Sequence, residues 1–452
     1  MRFLKILLTF ASISFSLSNS ALSQQEIELT LKASIDNAIK SNPQVIKALY
    51  TIEGQQSVVR TRYGDLFPTL SFSGGWTRSN QVTKGGFYNF NGIQIPIGTR
   101  DETTNNYSLS LRSDVTLFDG LGNYESIDAA RMTEENLYVQ LEKTRQDIVL
   151  KILGDYIAAL KNLQILKINT ASLEDSRAQL ERIKLFVEAG RRTMSDVYSQ
   201  DVIVAQNELA VEQAKNNFDK SIADLVYDAS LKQDVSYTVV PREFTTDVSY
   251  DNLQAYVNQN SNVELLVNTA IKNRYDYLYS ANNVSIFETN LEITRSSLLF
   301  PTLSGFGSYS LSGENLNKIS DSKVFTIGLT LSYPIFQGFS LENQRQQALV
   351  NLRSANEDLR LVRDKISLDI KKAVLDLKSL LKQIEITERN IKSAQQDKFL
   401  AEESYKVGLG TLLEIQTSTT KYNNALIDKS NLIYNFLLAQ KQMEYYQGLL
   451  KY

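Results

Sequence analysis

The sequence predicts a mainly α-helical chain with a membrane β-barrel part, four strands to a chain, laid out as an internal two-fold duplication. Three observations carry this reading. A ten-residue motif occurs twice, four short segments alternate apolar with polar residues, and two long arms are almost free of glycine and proline.

The chain opens with a secretory signal over residues 1 to 23: Arg2 and Lys5, an apolar stretch from Ile6 to Leu17, then Ala21 and Ser23. The mature chain is therefore expected outside the cytoplasm, and with no cysteine after the signal no N-terminal lipid anchor is expected. In the duplication, Thr-Arg-x-x-x-Leu-Phe-Pro-Thr-Leu at residues 61–70 returns at 294–303, an offset of 233 (301 − 68). Further along, Leu117-Phe118-Asp119-Gly120 corresponds to Ile335-Phe336-Gln337-Gly338, and Gly190 to Gly408, both at 218 (336 − 118). The helical arms then have equal length. The change of offset falls in the first half, where Lys84-Gly85-Gly86 to Gly98 reads as an enlarged loop.

The first repeat (24–231) is expected to hold strands at about 69–80 and 106–117, a long helix at about 121–188 and a returning helix at about 193–231. The second (263–452) repeats this with strands at about 302–312 and 324–335 and helices at about 339–407 and 411–448, after a connector at 232–262 containing Pro241. Tyr107, Leu109, Leu111, Val115 and Leu117 alternate with Ser108, Ser110, Arg112, Asp114 and Thr116. Phe325, Ile327, Leu329 and Leu331 do so with Thr326, Gly328, Thr330 and Ser332. Segments of about ten residues fit a tilted barrel crossing, with Trp76, Tyr107, Tyr309 and Tyr333 as candidate interfacial aromatics; a soluble sandwich edge is the other reading. Each arm of about 68 residues spans roughly 100 Å at 1.5 Å per residue. Leu359, Val362, Ile366, Asp369, Ala373, Leu377, Leu380 and Ile384 form a coiled-coil seam, and a second row at Leu361, Leu368 and Leu375 implies packing on two sides. At both tips a glycine suited to a left-handed cap, Gly190 or Gly408, precedes a capping-box spacing, Thr193 with Asp196 and Thr411 with Glu414.

Composition removes whole classes of chemistry. The 452 residues include no cysteine and no histidine, which excludes disulfides, thiolate or imidazole metal sites and every Ser-His-acid triad. A carboxylate-only hydrolase would need a concave acid pair, whereas the acids here are spread along the arms. Net charge is −3 and no basic block is present, so no nucleic acid is expected as a partner. Mean hydropathy is −0.24, and no run past the signal is long enough for a membrane helix; a crossing must use strands.

The repeated Leu-Phe-Pro-Thr-Leu, the Phe-Asp/Gln-Gly before each arm, and Tyr405-x-Val407-Gly408-x-x-Thr411-x-x-Glu414 at the tip resemble the TolC-like outer-membrane efflux proteins, over essentially the whole mature chain. The resemblance implies a homotrimer whose chains close one 12-stranded barrel in outer-membrane lipid, continued by a periplasmic α-helical barrel. It implies passive exit across periplasm and outer membrane for a tripartite efflux pump or a type I secretion system. A periplasmic adaptor and an inner-membrane pump of ABC, RND or MFS type would be the partners, with no cofactor and no enzymatic activity. By the same match, Glu414 takes the place of an acid ringing the periplasmic entrance, Thr417 stands where a second acid would, and Tyr405 and Asp196 match a closing pair. The arginine of that latch is replaced by Gly410; Arg191 and Arg192 nearby read as solvated surface residues before they read as substitutes. Val407-Gly408-Leu409 with Thr411, and Gly190-Arg191 with Thr193, resemble the tips that meet the adaptor. The competing reading is a non-conducting structural or adhesive coiled-coil rod of the cell envelope.

Overall fold

A computed structural model describes residues 27–241, 244 and 249–451; the signal at 1–23 lies outside the described residues. In chain order the elements begin with β1 (Ile27–Leu29), α1 (Leu31–Ser41), α2 (Pro43–Gly64), β2 (Thr69–Thr83), β3 (Gly86–Phe90), β4 (Ile93–Ile97) and β5 (Arg100–Phe118). The first long helix α3 (Gly122–Glu188) and its return α4 (Met194–Asp228) follow, then β6 (Tyr237–Val239) and α5 (Tyr250–Gln259). The second half runs α6 (Val263–Asn273), α7 (Tyr275–Leu299), β7 (Thr302–Gly313), β8 (Ser322–Ser332), α8 (Ser340–Lys406) and α9 (Leu412–Tyr446).

The duplication is written into the backbone. Positive φ occurs at Gly120 and Gly338, at Leu121 and Phe339, at Gly190 and Gly408, and at Ser230 and Gly448, each pair separated by 218 residues (338 − 120). A left-handed conformation at bulky Leu121 or Phe339 costs roughly 1–2 kcal/mol. That both repeats keep it marks a demanding turn from strand into arm. Residues 31–64 and 263–299, to which sequence reasoning assigns no elements, form helices in both halves, α1 with α2 and α6 with α7. Their purpose follows from lengths. The returns α4 and α9 have 35 residues against 67 in α3 and α8, so they cover about half of each arm. The 22-residue α2 and 25-residue α7 pack along the half left bare.

Strands β2, β5, β7 and β8 form one antiparallel sheet in that order, and both of its edges are open in the single chain. Paired residues share a face. One face carries Leu70, Phe72, Trp76, Tyr107, Leu109, Leu111, Tyr309, Phe325, Ile327, Leu329 and Leu331 in cross-strand register. These side chains lack cover; Leu329 is 70% exposed and Ile327 77%. The other face is mostly serine and threonine, with an Arg112–Asp114 ion pair at 2.6 Å and Phe306, which the absence of a side chain at Gly328 admits. Among the described residues no helix is long and apolar enough to cross a membrane.

Two details differ from the sequence reading. The enlarged loop is itself a β-hairpin, β3 with β4, closed by Asn91 and Gly92, both at positive φ; β2 and β5 lengthen toward it as a two-stranded ribbon beyond β7. An Asn-Gly pair between apolar runs is the sequence signal of that turn. Strand β8 stops at Ser332, short of 335, because Pro334 has no N–H to donate. The connector 232–262 contains β6, which pairs in parallel with β1, and α5, whose Leu253 and Val257 are buried against Ile366, Ile370 and Leu377 of α8. The main core lies mid-arm, where Ile148, Ile152, Tyr156 and Leu160 of α3 meet α1, Leu225 of α4 and Ile433 and Tyr434 of α9.

Candidate functional site at the arm tips

Each arm ends in the same turn. In the first hairpin the Gly190 amide donates to the Val187 carbonyl and the Arg191 amide to Phe186, at 2.9 and 2.8 Å. In the second, Gly408 donates to Tyr405 and Leu409 to Ser404, at 3.1 and 2.9 Å. Both patterns need a left-handed residue at the cap, supplied by Gly190 at φ 69° and Gly408 at 83°. The turn leaves Val407 and Leu409 protruding, the latter 88% exposed, with Arg191 exposed on the other tip.

The two returning helices start differently. Thr411 Oγ1 accepts from the Glu414 amide at 3.3 Å while Glu414 Oε2 accepts from the Thr411 amide at 3.0 Å, a complete capping box. Thr193 makes no side-chain cap bond, and the expected Thr193–Asp196 box is absent. Aspartate is one methylene shorter than glutamate, and Asp196 is partly buried with its charge felt at Tyr405. Glu414 and Thr417 are exposed on α9.

Tyr405 is the centre of the tip. It is 2% exposed and packs with Ile183, Leu412 and Ile415, its ring 6.4 Å from that of Phe186. Its hydroxyl is buried without a hydrogen-bond partner, so the structure brings Tyr405 and Asp196 near each other without a bond between them. Burial, and next the charge of Asp196, push the phenol above its ordinary value, while Arg192 pulls the other way. Arg192 is not a solvated surface residue. Its guanidinium carbon lies 3.9 Å from the centre of the Tyr405 ring, and Nη2 donates to the carbonyls of Tyr405 at 2.9 Å and Gly410 at 3.4 Å. A side chain at Gly410 would start 3.0 Å from Ser404 Cβ and the Tyr405 amide nitrogen, so this position leaves no easy room for an arginine. The cation arrives from the opposite hairpin instead.

Above the tip, the two hairpins of one chain meet across a polar cleft of about 270 Å³. Lys398 Nζ reaches Asp175 at 3.1 Å, Asn423 donates to Ser172 Oγ at 2.7 Å, and Gln416 donates to Gln200 Oε1 at 3.3 Å. Sequence reasoning passed over these residues, although Gln200 with Asn207 and Gln416 with Asn423 repeat polar side chains at the heptad interval. Among the described residues no group of acidic side chains could hold a metal ion.

The family model for outer membrane efflux proteins matches residues 34–227 and 266–448, the two repeats in turn. This chain belongs to that family. As an outer membrane efflux protein it is an exit channel of the outer membrane, with its helical part in the periplasm. The outer membrane protein TolC of Salmonella enteritidis is 24% identical to it, covering 97% of this chain and 85% of the relative. TolC of Escherichia coli K12 is 23% identical over the same shares. Among solved structures, VceC of Vibrio cholerae matches with a TM-score of 0.73 at 17% identity, covering 92% of this chain and 96% of that one. The CmeC channel of Campylobacter jejuni matches at 0.72 and 16%, covering 99% and 94%. These likenesses carry the fold of the efflux protein: a helical barrel joined to a β-barrel part.

Proposed function

We propose that three copies of this efflux protein close a single 12-stranded barrel, and that their arms continue it as a periplasmic tunnel. The supporting observation is the four-stranded sheet, apolar on one face, polar on the other and open at both edges. An unpaired strand edge in hydrocarbon costs several kcal/mol per backbone group, so the edges of β2 and β8 must find partners, and a neighbouring copy offers the complementary edge. The number three rests on family resemblance. Conduction is then passive, with energy and cargo delivered at the arm tips by an inner-membrane pump through a periplasmic adaptor, for efflux or for type I secretion. Val407, Gly408, Leu409 and Thr411, with Gly190, Arg191 and Thr193, are the surface on which a helical adaptor tip would sit; small caps let another backbone approach closely. Arg192, seated on the Tyr405 ring and bonded to the Tyr405 and Gly410 carbonyls with Asp196 close by, holds the entrance shut, and three Glu414 carboxylates facing it concentrate negative potential, with Thr417 leaving a single acidic ring.

Detergent extraction followed by mass measurement tests the assembly. The expected species is about three chains in mass, carrying a hollow cylinder in single-particle images. A monodisperse monomer that stays in solution without detergent refutes it.

A further inference from the structure

The two hairpins are rooted by different chemistry. In the second repeat, Arg274 is 6% exposed and pairs with Asp276 at 2.6 Å and Asp369 at 3.7 Å, its guanidinium 5.9 Å from the Tyr446 ring. That cluster ties the start of α7 to α8 and to the last turn of α9. In the first repeat Asn42 caps α2 as Arg274 caps α7, and Lys151 and Asp228 match Asp369 and Tyr446 at the offset of 218 (369 − 151). Asn42 Nδ2 donates to the Asp228 carbonyl, at 3.3 Å. Among the described residues no arginine reaches this root.

What stands there is a pair of carboxyls. Asp155 of α3 meets Asp228 at the last turn of α4, with side chains 23% and 18% exposed. Lys151 binds Asp228 directly and stops 3.7 Å short of Asp155 Oδ2, which is buried and accepts no hydrogen bond. The charged groups bearing on Asp155 are Lys151 from its own helix and Asp228 and Asp224 from α4; α1 and its cap contribute Asn37 and Asn42 to the joint. One lysine thus faces three acids. A buried oxygen without a donor, beside a second carboxyl, is where a shared proton makes the missing bond.

We infer that the root of the first hairpin is an acid-tightened joint: in acid a proton carried by Asp155 bridges to Asp228 and fastens α4 to α3, and at neutral pH the repulsion between the two carboxylates loosens the last turn of α4. The root of the second hairpin, held by Arg274, stays fixed. Burial first, then the bond to Asp228, pushes the Asp155 carboxyl up to about 6, against an ordinary 3.8. The sign follows: the folded chain binds the extra proton between these values, so acid favours the joint and the gain is lost as pH rises through about 6. One unit below that value the gain is about tenfold. The joint itself concerns a single chain. Its bearing on the entrance, through the hairpin that carries Arg192 and Asp196, rests on the channel reading above.

The test is amide hydrogen exchange of the full-length, detergent-extracted protein at pH 5 and pH 7.5, normalised for intrinsic exchange. Peptides over 218–231 are expected to exchange about tenfold more slowly at pH 5, and peptides over 436–449 equally at both. Asp155→Asn, which holds a proton donor in place permanently, is expected to be protected at both pH values. Asp228→Asn makes the same comparison from the other carboxyl should the first variant fail to assemble. Equal exchange of 218–231 at the two pH values in the native protein, or pH dependence surviving in either variant, overturns the inference. A monomeric extract would refute the trimer while leaving this comparison readable.

Discussion

Arg192→Ala offers the most direct probe of the entrance. The side chain donates a charge-assisted bond at 2.9 Å to the Tyr405 carbonyl and a longer one at 3.4 Å to Gly410, and it covers the Tyr405 ring at 3.9 Å. A hydrogen bond from a charged group contributes about 1.5–3 kcal/mol, and a cation–π contact at a partly exposed site about 0.5–1. Taking the lower ends, because Arg192 is only half-buried and the second bond is long, the loss is about 2 kcal/mol per chain. At about 1.4 kcal/mol per factor of ten, each hairpin would part from its neighbour some 20- to 30-fold more often. Planar-bilayer recording of the purified channel is the assay. Arg192→Ala should raise open probability strongly, and Arg192→Lys, which keeps the charge but not the planar fork, should fall between. Tyr405→Phe supplies the counter-test. Its hydroxyl has no partner to lose, so closure should be unchanged and stability equal or slightly higher. Wild-type conductance from a folded Arg192→Ala channel, or an open Tyr405→Phe channel, would refute the assignment.

Three further changes test other parts of the structure. Leu329→Arg places a charge on the apolar face of β8 and should cost about 2–4 kcal/mol at mid-bilayer, read as loss of the detergent-extracted oligomer with the arms still helical by circular dichroism. Glu414→Ala removes both a cap and a charge, whereas Thr411→Ala removes the cap partner alone; only the former should relieve block by divalent cations, and both should lower thermal stability by about 1 kcal/mol. Arg274→Met takes the bonded cation from Asp276 and Asp369 and should cost about 3–5 kcal/mol in thermal unfolding. Burial alone would raise Asp276, yet the bond and charge of Arg274 hold it below the ordinary carboxylate value. Its contribution is therefore present above about pH 4 and lost as pH falls further, the opposite sign to the Asp155 joint.

What could be read from the sequence was whatever repeats or alternates. The strands show because one face meets an apolar medium and the other a polar one, so residues such as Phe325 to Leu331 alternate without interruption. The arms show because 67 residues of helix admit almost no glycine or proline. By contrast α2 and α7 carry no clean stripe. In α2 the buried Val45, Ile52 and Val59 do recur every seven residues, but the exposed Leu49, Tyr50 and Val58 between them blur the stripe; α7 packs on both α3 and α8, and its buried Ile286 and Leu291 are too few to announce a period. At the tips, Gly190, Gly408 and Glu414 were legible because caps are local chemistry. Arg192 was not, since its partners Tyr405 and Gly410 lie more than 200 residues away and are backbone carbonyls, which no side-chain pattern records.

The placement of polar contacts follows from what a closing duct must do. Mid-arm, α3 and α8 are fixed by large apolar side chains, Ile152, Tyr156, Ile366 and Leu377 among them, whose separation would expose area at about 25 cal/mol per Å². Toward the tips that core thins, and Lys398, Asn423 and Gln416 take over the join between hairpins. Each such bond exchanges with water at a net cost of only about 1 kcal/mol. The same chain is thus hard to part at its waist and easy to part at its end. The last turns of α4 and α9, with Leu225, Ala229 and Met443 fully buried, belong to the fixed waist, so a hinge has to lie nearer the tips, where the core shrinks to Leu173, Leu180 and Val204.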